Sequence, residues 1–170
     1  MQKYRDWAFL LVIFLACACG KTNKDHAPWP ATISFSALKD SERMALTDTL
    51  KGFSKSLGTD VFFFDERPSH FQIVISLLSA EDKNSSKAGL ATYDGTFCKV
   101  ELNESVFSES YRSYLEPVLW HELGHCAGMD HDPKLGELMY YLASPKNFYT
   151  VDAISRFMEV FRNLTSLVGK

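Results

Sequence analysis

The sequence predicts an α+β domain, with a sheet built first and a motif-bearing helix after it. Three observations predict this class. Short alternating or wholly apolar runs recur between residues 31 and 102, separated by turn residues. Apolar residues spaced by three or four mark helices near residues 41–57, 110–127 and 151–167. The chain has 170 residues, which suits one domain, and 46% hydrophobic with 23% charged content excludes wholesale disorder. The formal charge of −3, from 18 basic and 21 acidic residues, lacks the basic footprint of a nucleic-acid binder. No nucleic-acid partner is expected.

The elements follow in order. From Ala31 to Leu38, Ile33, Phe35 and Ala37 alternate with Thr32, Ser34 and Ser36, as in a half-buried strand. Asp40 or Ser41 caps a helix that carries Met44, Leu46, Leu50, Phe53 and Leu57 and closes at Gly58. Val61 to Phe64 and Phe71 to Leu78 read as strands, with Glu66 to Ser69 as turn material. Gly89 to Tyr93 and Thr96 to Leu102 flank Asp94-Gly95, a hairpin signal. Ser110 to Ala127 is helical, with Pro117 expected in the first turn of the segment that carries Trp120. A last helix presents Ile154, Phe157, Met158, Phe161, Leu164 and Val168 on one face.

The N-terminus reads as a targeting segment. Lys3 and Arg5 precede the apolar run Trp7 to Ala18, which is too short to favour a membrane span. Its end, Leu15-Ala16-Cys17-Ala18-Cys19-Gly20, resembles a bacterial lipoprotein box, in which a Cys is lipidated and becomes the new N-terminus. Cys19 is preferred, because Ala18 precedes it and a polar tether follows; Cys17 is the alternative. The organisation is thus a lipoprotein-type signal peptide over 1–18, a tether over 19–30 and one domain over 31–170. This places the domain in the cell envelope, lipid-anchored, or secreted after a plain signal. Outside the cytoplasm disulfides persist, so Cys98 and Cys126 form a disulfide or stay as two buried thiols.

Function concentrates in His121-Glu122-Leu123-Gly124-His125-Cys126-Ala127-Gly128-Met129-Asp130-His131. On a helix, His121 and His125 share one face and can grip one zinc ion from a rigid support. Glu122 lies close enough in angle to reach a water at that metal. Gly128 can adopt the left-handed conformation that ends a helix, which gives His131 a short path back as third ligand. The fixed residues occur by chance in a chain this long on the order of 1 time in 100,000. Trp120 is read as core. His26 and His70 are read as solvated. Tyr140, Tyr141, Phe148 and Tyr149 are candidates for a substrate pocket or for core packing.

This H-E-x-x-H-x-x-G-x-x-H run resembles that of the metzincin zinc metallopeptidases. Met139, eight residues after His131 in Leu138-Met139-Tyr140, resembles the Met-turn of the matrixin branch. The resemblance implies a twisted mixed sheet with three main helices, a zinc helix followed by a Met-turn, and an edge strand over Gly89 to Tyr93 that pairs with an extended substrate. It implies a zinc endopeptidase with Glu122 as general base and acid, and His121, His125 and His131 as ligands. Two departures stand out. Tyr141 replaces the matrixin Pro, and is either a zinc ligand or oxyanion stabiliser, as in astacins, or a pocket wall. The His- and Asp-rich loop for structural ions is missing, so one catalytic Zn2+ is expected. The expected partners are a protein or peptide substrate and, through the lipid, a membrane; the expected state is a monomer. The alternative function is a catalytically inactive, zinc-containing, protein-binding envelope lipoprotein.

Overall fold

The computed structural model describes residues 15–16, 29–64, 71–79, 86–93 and 97–166. The lipidation candidates Cys17 and Cys19, the histidines His26 and His70, the Asp94-Gly95 turn and Val168 lie outside them. Over these residues the fold is α+β, with a mixed five-stranded sheet and three α-helices.

The sheet is built from β2 (Ala31–Phe35), β3 (Phe62–Phe63), β4 (Phe71–Leu77), β5 (Gly89–Tyr93) and β6 (Phe97–Leu102), in the spatial order β3-β2-β4-β6-β5. Strands β3, β2, β4 and β6 run parallel, and β5 pairs antiparallel with β6 in the register Gly89 with Leu102 and Tyr93 with Cys98. A two-residue strand β1 (Leu15–Ala16) pairs separately with β7 (Leu142–Ala143). Side chains alternate across the main sheet, so Ile73, Ile75, Cys98, Val100 and Leu102 are buried on one face. On the other face Lys99 and Glu101 pair at 2.7 Å.

The helices α1 (Asp40–Leu57), α2 (Arg112–Cys126) and α3 (Val151–Ser166) complete the core. Phe53 of α1 sits at its centre. Its ring lies 4.9 Å from Phe161, 5.4 Å from Trp120 and 5.5 Å from Phe62, centroid to centroid. Most of these are edge-to-face contacts, the geometry that ring quadrupoles favour. Trp120 is thus a core residue, 5% exposed and packed against Phe53 and Phe157.

The structure corrects three local expectations. The cap of α1 is Lys39, not Asp40 or Ser41, because the Glu42 carboxylate accepts the Lys39 backbone N–H at 2.8 Å and starts the helix one residue earlier. Met44 is 65% exposed; the buried face of α1 runs instead through Ala45, Leu46, Leu50, Phe53 and Leu57. Pro117 lies inside α2, past its first turn. The ring carries no N–H, so one ladder bond to the preceding turn is forgone there, yet Pro117 is buried and the helix continues. Tertiary packing of a helix that is buried from Pro117 onward outweighs the local penalty.

Candidate metal centre

The site begins with α2, whose residues from Pro117 to Cys126 are all buried. His121 is 2% exposed, Glu122 fully buried and His125 2% exposed. The helix ends as its sequence predicts. Ala127 is the cap, and Gly128 takes φ +80°, the left-handed region that glycine enters without a Cβ clash. The Gly128 N–H donates to the His125 carbonyl at 2.9 Å and the Met129 N–H to the Gly124 carbonyl at 2.9 Å. This reversal brings the chain back so that His131 faces the helix.

The three imidazoles converge through Nε2. His121 Nε2 lies 3.0 Å from His125 Nε2 and 3.2 Å from His131 Nε2. One nitrogen from each ring falls within 4.8 Å of the others, close enough for all three to hold one metal ion. Backbone carbonyls orient two of the rings. The Nδ1–H of His121 donates to the Leu138 carbonyl at 2.7 Å, and that of His125 to the Met129 carbonyl at 2.8 Å. A carbonyl only accepts, so the proton of each neutral ring is on Nδ1 and the lone pair is on Nε2, facing the cluster.

Electrostatics keep these rings neutral. Burial, reinforced by the neighbouring His125, pushes His121 down to about 3. Burial pushes His125 down to about 4, against the raising effect of its bond to Met129. His131 is also lowered by burial, opposed by Asp130. At neutral pH the site therefore presents three uncharged imidazoles, two of them with the Nε2 lone pair turned to the cluster.

No family model and no curated protein matches this chain. What the site can do therefore rests on its own geometry.

Two glycines shape that geometry, and neither stood out in the sequence. A Cβ on Gly124 would meet Phe157 Cε2 at 3.0 Å and Met139 Cε at 3.1 Å, with Met139 Sδ closer still. The bare backbone lets buried Met139 pack directly against the helix between the two histidines. A Cβ on Gly89 would meet Glu122 Oε1 at 2.7 Å and Glu122 Cγ at 2.9 Å. The first residue of β5 thus abuts the carboxyl of Glu122. The available signals were a glycine in the last turn of the motif helix and a glycine opening a strand.

The remaining candidates are placed as follows. Cys98 of β6 and Cys126 of α2 form a disulfide, so Cys126 is tied to the sheet immediately after His125. Tyr141 is 47% exposed and its ring lies 4.4 Å from that of Tyr140. Phe148 is 48% exposed, and the Tyr149 hydroxyl accepts the Ser144 N–H at 3.1 Å.

Proposed function

We propose that this chain is a zinc-dependent endopeptidase of metzincin type, closest in its motif to the matrixins. The observation that carries the reading is the convergence of three neutral Nε2 atoms from an H-E-x-x-H helix and the following turn, with Glu122 buried on the same helix. Three nitrogen ligands around a tetrahedral zinc stand about 3.3 Å apart, given zinc–nitrogen bonds of about 2.0–2.1 Å. The spacings of 3.0 and 3.2 Å suit that ion. Met139, packed under the helix against Gly124, is read as the Met-turn.

His121, His125 and His131 would hold the ion. When bound, zinc supplies Lewis acidity that polarises a carbonyl and makes water acidic near neutral pH. The Glu122 carboxylate takes a proton from the attacking water and returns it to the leaving amine. The Gly89 backbone beside it leaves room for that carboxylate. Strand β5 is the last in the sheet, and its outer edge suits pairing with such a peptide. Tyr141 is read as a pocket wall, or as a zinc ligand or oxyanion partner.

We also propose residence in the cell envelope, through a lipid on Cys19 or Cys17. The N-terminal pattern supports it, and the Cys98–Cys126 disulfide suits an oxidising compartment. Among the described residues no helix is long and apolar enough to cross a membrane.

The test incubates the protein and its Glu122→Ala variant with a diverse peptide mixture. Products are read by mass spectrometry and zinc is measured in both. Loss of a single general base costs at least 100-fold in turnover. We expect zinc in both proteins and cleavage by the wild type alone. Substantial cleavage by the variant would refute the role of Glu122, and absence of zinc from both would refute the site. Zinc without cleavage in either would favour a binding role.

A further inference from the structure

We infer that the ion pair between Glu137 and Arg156 is a clamp that sets how tightly the histidine cluster holds its metal. The inference rests on the reading of that cluster as a metal site and adds two residues that lie outside it.

The chain of contacts starts at His121, whose ring orientation is chosen by the Leu138 carbonyl at 2.7 Å. Leu138 belongs to the loop between the third histidine and Met139. That loop is closed on itself by backbone bonds. The Asp132 N–H donates to the Met139 carbonyl at 2.8 Å, and the Tyr140 N–H to the Glu137 carbonyl at 3.0 Å. Packing does not seal the loop onto α3. A cavity of about 370 Å³ lies between them, lined by His131, Glu137 and Leu138 on one side and by Arg156 and Phe157 on the other.

Arg156 spans this gap. Its Nη2 reaches Glu137 Oε1 at 2.6 Å, and Lys134 Nζ approaches the same oxygen at 3.3 Å. The Glu137 side chain is only 12% exposed. The hydrogen bond from Arg156, joined by that from Lys134, holds its carboxyl below the ordinary carboxylate range, so it is charged at neutral pH. Glu137 directly precedes Leu138. A pull on its side chain therefore moves the one carbonyl that orients His121. Exposed ion pairs contribute little to global stability, and Arg156 is 56% exposed. The leverage here is local, because the pair positions an acceptor rather than holding up the core.

Losing the direct partner of a metal-bound histidine weakens metal binding 10- to 100-fold. Acting one residue removed, the clamp is expected to contribute about fivefold on the same scale. The test measures zinc affinity of the full chain by competition with a coloured chelator, for wild type, Arg156→Ala, Arg156→Lys, Glu137→Gln and the double variant. Melting of the metal-free forms confirms that each is folded. We expect Arg156→Ala and Glu137→Gln each to bind zinc about fivefold more weakly at low salt, Arg156→Lys to recover part of the loss, and the double variant to be no worse than Glu137→Gln. The gap to wild type should narrow at about 1 M salt, which screens a charge pair but would leave a packing defect unchanged. If Arg156→Ala does not fold, Glu137→Gln and Arg156→Lys carry the comparison. Folded variants that bind zinc as tightly as wild type, or that lose affinity equally at all salt concentrations, would overturn the clamp alone. A wild type that takes up no zinc would overturn the metal site itself.

Discussion

Two stretches of chain meet at the histidine cluster and are held by different forces. From Pro117 to Ala127 every residue is buried, and the helix is positioned by contact on all sides. From Gly128 to Tyr149 only Leu138 and Met139 are buried. That second stretch is positioned by backbone hydrogen bonds, by the reach of Met139 to Gly124, and by the Glu137–Arg156 ion pair to α3. His121, His125 and Glu122 belong to the packed stretch, and His131 belongs to the hydrogen-bonded one. The difference teaches where precision comes from. Dense packing resists displacement in every direction, whereas a hydrogen-bonded turn resists only along the bonds it makes.

The comparison breaks first at the core. Phe53 is fully buried and touches Trp120, the residue before His121. Phe53→Ala is expected to cost about 4 kcal/mol, measured by denaturant unfolding. A cost below about 1 kcal/mol would mean that α2 does not depend on that packing.

The next effect tests the covalent tie behind α2. Cys98 and Cys126 are 28 residues apart in sequence. Replacing both by Ser is expected to lower stability by about 3 kcal/mol through the freed unfolded chain. Unchanged unfolding would argue that the packed stretch holds without the link.

Acid sharpens the contrast in a different way. In the metal-stripped protein His121 and His125 stay neutral to about 3 and about 4, whereas the unfolded chain protonates histidine near 6.5. Their folded values are depressed, so their contribution is present above 6.5 and is lost as pH falls. Between pH 6.5 and 5.5 the two together should cost about 2 kcal/mol. A flat stability profile across that unit would contradict the burial of these rings.

The smallest stability effect falls at the junction of sheet and helix. Gly89→Ala is expected to cost about 1.5 kcal/mol, because the added Cβ meets the buried Glu122 side chain at Cγ as well as at Oε1. On the proposed peptidase reading, turnover should nonetheless fall more than tenfold while zinc is retained, read by peptide cleavage beside metal analysis. Wild-type turnover would show that the pose of Glu122 does not depend on that open position.

Much of the fold was legible in the sequence because it follows from periodicity. The order of strands and helices, and Gly128 as the end of the motif helix, needed only local pattern. The convergence of His121, His125 and His131 was legible because the helix period and one glycine constrain the path between them. What stayed hidden depends on tertiary contact. Nothing local distinguishes Met44 from Leu46 as the residue that α1 buries. The carbonyls of Leu138 and Met129 leave no mark on residue type, since every residue carries one. Glu137 and Arg156 are 19 residues apart, and only the fold reveals that they meet. Gly89 and Gly124 were visible as glycines, but their reasons lie in Glu122 and Met139.

The burial of α2 also governs how this site can change over time. With every position from Pro117 to Ala127 enclosed, a substitution there must be accommodated by several neighbours at once. Residues 130–137 and 140–149 are half-buried or exposed, so they accept replacement singly. Change at this site, whether by descent or in a laboratory library, is therefore channelled into the segment after His131, while the helix that carries Glu122 is inherited as a block.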